Sequence, residues 1–266
     1  MTISAAAAIQ RRQWGTDPEA WAVLSEPHNR PLFEAVLDAA AVGAGTRLLD
    51  VGCGTGMLLQ LAAARGAEPS GIDVTPELLG IARERLPQAD LREGDMESLP
   101  FADAAFDAVT GVNAFQFAGD PGTALGEAAR VLRPGGTLVA SLFAAPELSE
   151  GTHVHAAMQA LSPPAKEAEH APYSLSDPGR LEQELESHGL PVVDAGEVIC
   201  VWAYDSIDDA VRAMAGSGGG AGAVADAGLE AVREAITPVL WRFRDPLDGS
   251  VALRNTFRWV SARREG

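Results

Sequence analysis

The chain has 266 residues, 47% of them hydrophobic, and its 20 Lys and Arg against 37 Asp and Glu give a formal net charge of −17. That length and apolar content suffice for a sizeable core, in one domain with a large insertion or in two small ones. The charge disfavours a nucleic-acid backbone binder or an anionic-membrane binder, since both need a positive surface.

The N-terminal apolar run of residues 5–9 follows no positive stretch and is too short for the core of a signal peptide. Uncharged runs such as residues 51–64 and 135–146 are too short to span a bilayer. Cys53 and Cys200 are too few for a disulfide framework or a metal cluster, and fit a reducing compartment. A cytoplasmic protein with no membrane and no nucleic-acid partner is expected.

From residue 46 onward, two apolar periods alternate. Residues 46–51 read as a short buried strand ending in glycines, and residues 57–65 as a helix that Gly66 ends. A second strand is predicted over 70–74, and Pro76 suits the first turn of a helix over 77–86. Strands follow over 89–92 and 106–112, then a helix over 123–132, stopped by Pro134-Gly135-Gly136, and a strand over 137–143. Such alternation argues for an α/β fold, a mostly parallel sheet with helices on both faces.

After Pro146 the pattern changes. Residues 147–175, with Pro163-Pro164, Pro172 and His153, His155 and His170, read as a loop-rich insertion. A helix beginning near Ser176 is closed by His188-Gly189, a long strand is predicted over 191–204, and a helix over 207–214. Gly216 to Gly222 reads as a flexible hinge or lid loop. A helix over 229–243, a turn over 245–249 and a strand over 251–262 complete the chain, and no internal repeat is found.

The first chemical signal is LLDVGCGTG, Leu48 to Gly56. A strand delivers the backbone into a turn where Gly52, Gly54 and Gly56 carry no Cβ, so a ligand can approach the main chain and the backbone can take positive φ. The following helix presents its N-terminus to that ligand. The second signal is Asp73, 21 positions after Gly52 at the end of the second strand, where an acid can accept both ribose hydroxyls of a nucleoside. Asp73 also reads as a helix cap before Thr75-Pro76. The spacing G-x-G-x-G departs from the dinucleotide fingerprint G-x-G-x-x-G, whose last glycine would fall at Met57.

With LDVGCGTG at 49–56, GIDV at 71–74, GDMESLPF at 94–101 followed by Phe106-Asp107, and VLRPGG at 131–136, the chain resembles the class I S-adenosylmethionine-dependent methyltransferases. Within them it is similar to the small-molecule branch of the ubiquinone/menaquinone type. The resemblance covers residues 46–143. It implies a Rossmann-like seven-stranded, mostly parallel sheet with an antiparallel last strand, built as an N-terminal helical cap (1–45), a cofactor-binding core (46–145), and a substrate-binding insertion with the last two strands (146–266). It implies S-adenosyl-L-methionine as cofactor and S-adenosyl-L-homocysteine as product. Gly52, Gly54 and Gly56 would wrap the methionine part, with Asp50 organising the loop. Asp73 would take the ribose hydroxyls, Val74 would lie against the adenine, and Asp95 and the Met96 amide would meet the adenine edge. Asn113 would supply backbone near the methyl group. Asp95 also reads as a solvated loop acid, and Pro134-Gly135-Gly136 and Asp107 as structural.

Methyl transfer from such a cofactor needs an aligned nucleophile and exclusion of water. A neutral amine needs no base, whereas a phenol or activated carbon benefits from one. The catalytic residue is therefore left open, with His153 and His155 as the candidate bases. His28 is placed to cover the cofactor, and His188 closes a helix. Gln116 is placed to orient a polar group, and Phe115 and Phe117 to face the transfer zone. Trp202, Tyr204, Trp241 and Phe243 are candidate pocket walls. Trp14 and Trp21 are placed to close over the cofactor. No metal-ligand spacing is present.

The expected acceptor is a small-molecule, secondary or quinone-like metabolite, methylated at O, N or C by a monomer or homodimer. The alternatives are a non-methylating enzyme of cyclase or decarboxylase type, and a cofactor-binding regulatory protein, because fold alone does not fix reaction. The acidity is densest over residues 146–232, which carry a net −12. A polyanionic acceptor is disfavoured there.

Overall fold

A computed structural model describes residues 3–162 and 174–266. The N-terminal segment runs through α1 (Ala5–Trp14), the short α2 (Pro18–Ala20), a π-turn over Trp21–Ser25, a 3₁₀ turn over Glu26–Asn29 and α3 (Arg30–Ala39). The central elements follow as β1 (Arg47–Val51), α4 (Met57–Ala64), β2 (Glu68–Asp73), α5 (Pro76–Arg85), β3 (Asp90–Glu93), β4 (Phe106–Val112), α6 (Pro121–Val131) and β5 (Leu132–Phe143). Then come α7 (Gly151–Gln159), α8 (Arg180–Ser187), β6 (Val192–Tyr204), α9 (Ile207–Ala215), α10 (Gly218–Ala227), α11 (Leu229–Leu240) and β7 (Val251–Arg263).

The seven strands form one sheet in the order β3-β2-β1-β4-β5-β7-β6. The first five strands pair parallel, and β7 runs antiparallel to both β5 and β6. Chain order reverses between β1 and β4, so their C-terminal ends diverge into the crevice where open α/β sheets take ligands.

Apolar residues on the two faces of the strands make two cores. One packs Leu49, Val51 and Val109 with Leu125 of α6 and Leu181 and Leu185 of α8. The other packs Leu48, Ala108 and Val139 with Leu32 and Val36 of α3 and Leu58 and Leu59 of α4. A third core joins α7, α9, α10 and α11 through Val154, Met158, Val211, Met214 and Ile236 to Tyr204 and Val251. Tyr204 ends β6 and Val251 begins β7, so this helical cap stands at the sheet edge where the parallel strands end.

Two expectations need correction. Residues 151–159 of the predicted loop-rich insertion are helix α7. Pro163-Pro164, His170 and Pro172 lie outside the described residues. The glycine-rich stretch is not a hinge loop: from Gly218 it is helix α10, with Gly218, Gly220, Ala221 and Ala223 buried. Glycine is a poor helix former in isolation. Here its missing side chains admit close neighbours. A Cβ on Gly218 would lie 2.6 Å from the Trp14 ring, and one on Gly220 would penetrate the Met214 carbonyl. Tertiary packing therefore outweighs propensity. No described helix is long and apolar enough to cross a membrane.

Candidate functional site

The loop after β1 is built by backbone donors that converge on β2. Gly52 and Cys53 both donate to the Ile72 carbonyl, at 2.8 and 3.0 Å. Gly52, Gly54 and Gly56 all have positive φ, at 74°, 53° and 84°. A Cβ on Gly52 would stand 2.7 Å from that of Ala114, and Gly56 starts α4 hard against Ala82 of α5. Asp73 ends β2 beneath this turn: its Oδ2 accepts the Gly54 N–H at 2.9 Å and its Oδ1 the Thr75 N–H at 2.8 Å. Both readings of Asp73 meet here. It stabilises the entry to α5 and still faces the cavity, with lone pairs left on both oxygens.

Asp50 is buried, and its Oδ1 accepts the Thr110 hydroxyl at 2.7 Å. Burial pushes its carboxyl up to about 7, opposed by the Thr110 bond and reinforced by the charges of Asp73 and Glu26. Burial also raises Asp73, against the backbone donors that favour its charged form.

A cavity of about 380 Å³ opens at the C-terminal ends of β1, β2, β3 and β4. It brings Asp50, Gly52, Gly54, Asp73, Val74, Asp95, Met96 and Asn113 together, while Gly56 stands behind the turn. Asp95 is buried and already engaged: Oδ2 accepts the Ser4 N–H at 2.8 Å and Oδ1 the Glu97 N–H at 3.1 Å. Helix α1 is thus anchored beside the cavity, helped by the Arg11–Glu93 ion pair. Asn113 has φ of 51°, which asparagine tolerates, and its buried Oδ1 has no hydrogen-bond partner. Gln116 is only 3% exposed and its Oε1 is likewise unpartnered.

The candidate bases separate. His155 lies on the cavity wall, and burial lowers the pKa of its imidazole. His153 is exposed on the other side of α7, stacked near Phe243. His28 is outside the cavity lining and packs edge-on against Tyr204 at 5.1 Å. His188 caps the end of α8.

Trp202 and Tyr204 line the cavity, but Trp241 and Phe243 do not. Trp241 is 55% exposed on the outer end of α11, beneath the Arg244 guanidinium, and Phe243 packs on the third core. Phe115 is buried under Gly111, leaving Gln116 and Phe117 on the wall. Trp14 and Trp21 both line the cavity, edge to face at 4.9 Å. Asp107 is structural: Arg47 and Arg133 grip it and hold its carboxyl well below the usual range. Among the described residues no cluster of side chains could hold a metal ion.

Sequence reasoning missed Glu26, Asn29 and Phe33 from the N-terminal segment, and Phe143, Met158, Met214 and Phe257 from other elements. Glu26 is buried; its Oε1 accepts the Met57 N–H at 3.2 Å and its Oε2 meets Arg85 Nη1 at 2.5 Å. No local pattern marks Glu26, because its partners lie 31 and 59 positions away.

Residues 49–140 match the family model described as a methyltransferase domain. The chain carries a methyltransferase domain. Among curated relatives, the demethylmenaquinone methyltransferase of Renibacterium salmoninarum is 38% identical over 124 residues, 47% of this chain and 52% of the relative. The chain spans about half the length of the curated relatives it matches. Two solved structures share the fold. They are BH2331 of Bacillus halodurans, with TM-score 0.60, 21% identity and coverage of 88% of this chain and 99% of that one, and the [4+2]-cyclase SpnF, with TM-score 0.57, 22% identity and coverage of 88% and 80%. The matched stretch contains the end of β1, all of β2, β3 and β4, and most of β5, the strands whose ends frame the cavity.

Proposed function

We propose that this protein transfers a methyl group from S-adenosyl-L-methionine to a small-molecule acceptor. The observation that carries the reading is the Gly54–Asp73 hydrogen bond, which sets a carboxylate under a side-chain-free turn at the switch point of the sheet. The bare backbone at Gly52 and Gly54 and the unpartnered Asn113 Oδ1 fit a polar, extended ligand laid across that edge.

In this reading Asp73 holds the ribose hydroxyls, with Val74, Asp95 and Met96 at the base. Asp95 does so while keeping its Ser4 anchor, since a carboxylate accepts more than two hydrogen bonds. Gly52, Gly54 and Gly56 shape the turn around the methionine end, Asp50 braces it from below, and Asn113 borders the transfer point. When bound, the cofactor supplies a methyl on a positively charged sulfur. Residues 1–45 then cover the cofactor, residues 46–145 hold it, and residues 146–266 supply most of the acceptor wall. Trp14 and Trp21 exclude water from one side.

The SpnF likeness keeps a non-methylating reaction in view as a second reading, because that cyclase shares this fold. The experiment is calorimetry with S-adenosylmethionine and with NAD, on the wild type and Asp73→Ala, followed by assay of S-adenosylhomocysteine release. Binding of the methyl donor, weakened at least ~30-fold by Asp73→Ala, is expected from the loss of charge-assisted hydrogen bonds. Binding of NAD in its place overturns the reading, and tight donor binding with no S-adenosylhomocysteine from any acceptor favours the cyclase type.

A further inference from the structure

The charges of the cavity are sorted. Glu26, Asp50, Asp73, Asp95 and Glu97 lie in or against the turns that follow β1, β2 and β3. Among the described residues, no Lys or Arg side chain lines the cavity anywhere. An acceptor carrying a carboxylate or phosphate would therefore enter without a counter-charge. An alkylammonium would meet the opposite difficulty: acids and aromatic faces stabilise its protonated form, which has no lone pair for attack.

The wall supplied by β5, β6 and β7 is aromatic. Phe143 and Phe257 lie with ring centroids 4.6 Å apart, and Trp202 meets Phe143 edge-on at 6.1 Å. Trp202 is fixed by its indole N–H, which donates to Asn29 Oδ1 at 3.3 Å. Facing the cavity from α7 is His155, with Gly219 of α10 beside it. A Cβ on Gly219 would stand 3.0 Å from His155 Nε2, so the glycine leaves the imidazole its place.

We propose, on the methyl-transfer reading above, that the acceptor is a neutral hydroxylated aromatic ring held against Phe143, Trp202 and Phe257, and that His155 takes its hydroxyl proton. A neutral amine attacks without a base, whereas a neutral phenol needs one as its oxygen bonds to carbon. Burial keeps the imidazole neutral and so able to accept. Among the described residues, the titratable side chains of the elements packed closely on α7 are Asp226 of α10, Glu230, Arg233 and Glu234 of α11, and Arg254, Arg258 and Arg263 of β7, and none of these lines the cavity. In the step itself the acceptor O–H proton passes to the His155 ring, and the oxygen lone pair forms the new O–CH₃ bond. The S–CH₃ bond breaks with its electron pair returning to sulfur, which becomes neutral, and the imidazolium then gives its proton to water.

The test uses the full chain and four probes: 1-naphthol, 1-naphthyl phosphate, 1-naphthylamine, and 4-nitrophenol, which ionises by itself near neutrality. Calorimetry on protein loaded with S-adenosylhomocysteine reads binding apart from turnover. 1-Naphthol should bind at least ~10-fold more tightly than its phosphate. In turnover, His155→Gln should lose ~100-fold in kcat on 1-naphthol, less than ~10-fold on 4-nitrophenol, and keep the cofactor Kd of the wild type. His155→Asn, with circular dichroism as the folding control, stands in should the glutamine variant not fold. Equal losses on the two phenols, tighter binding of the phosphate, or methylation of 1-naphthylamine without either phenol would overturn the proposal while leaving methyl transfer standing. Failure to bind S-adenosylmethionine at all would instead remove the reading it rests on.

Discussion

Glu26 and Arg85 meet at 2.5 Å across the back of the glycine turn, and the same two side chains hold three separate segments. Glu26 also accepts the Met57 amide at the start of α4, while Arg85 donates to the Thr55 carbonyl at 3.0 Å and to the Ala22 carbonyl at 3.3 Å. The N-terminal segment is therefore fastened to the turn by a carboxylate that is 3% exposed.

Removing one member of such a pair leaves the other charge buried and unpaired, which costs about 3–5 kcal/mol. Arg85→Met, which strands the buried Glu26 carboxylate, should lower stability in urea by that order, and Glu26→Ala by less, since Arg85 is 22% exposed and keeps the Thr55 and Ala22 carbonyls. The double variant should be less destabilised than the sum of the two. Strict additivity would mean that the two side chains act independently.

Asp50 predicts a pH dependence. Its carboxyl sits at about 7 in the folded protein against 3.8 for a free aspartate, so the folded state binds the proton more tightly than the unfolded one. The corresponding stabilisation is fully present below about pH 4 and is lost as pH rises through about 7, up to about 4 kcal/mol in all. Asp50→Asn removes this titration. Chemical denaturation between pH 5 and 8 should show a flatter profile for the variant, and identical slopes would contradict the assignment.

Helix α10 predicts opposite outcomes at two glycines. A Cβ on Gly220 runs into the Met214 carbonyl, which is backbone and cannot swing away. Gly220→Ala should cost about 1–3 kcal/mol or more. A Cβ on Gly222 meets only Nε2 of Gln13, the far end of a flexible side chain, at 2.7 Å. Gly222→Ala should be neutral or stabilising by up to about 1 kcal/mol through helix propensity. Thermal unfolding of the two variants separates them.

Gly52 combines positive φ with a side chain at the limit of contact. Gly52→Ala must strain the turn and push Ala114, and should weaken S-adenosylmethionine binding at least ~10-fold by calorimetry while lowering stability by about 1–2 kcal/mol. Unchanged affinity would mean that the ligand does not approach this backbone.

Much of the site was legible because its determinants are short in sequence. Asp50 precedes Gly52 by two positions, and the Gly54–Asp73 bond spans only 19. One strand-turn-helix and the end of the next strand contain the whole device. The aromatic wall was half legible. Trp202 and Tyr204 faced the cavity as expected, while Trp241 and Phe243 did not, because α11 ends at Leu240 and both rings sit on the 3₁₀ turn that follows it, outside the cavity. The choice of His155 over His153 is a matter of helix phase: two positions apart in α7, they point to different sides, and residues read as loop carry no phase.

The amino-acid sequence by itself determined the parallel α/β core, its glycine turn and the carboxylate beneath it. Period, punctuation and spacing are local properties that survive without knowledge of the partner. Only the tertiary structure decided that Glu26 clasps the turn, that Gly218 to Gly222 belong to a packed helix rather than a hinge, and that Phe143, Trp202, Phe257 and His155 face one cavity. Each of these rests on contacts between segments far apart in the chain, where packing and charge pairing outweigh the propensities a sequence displays.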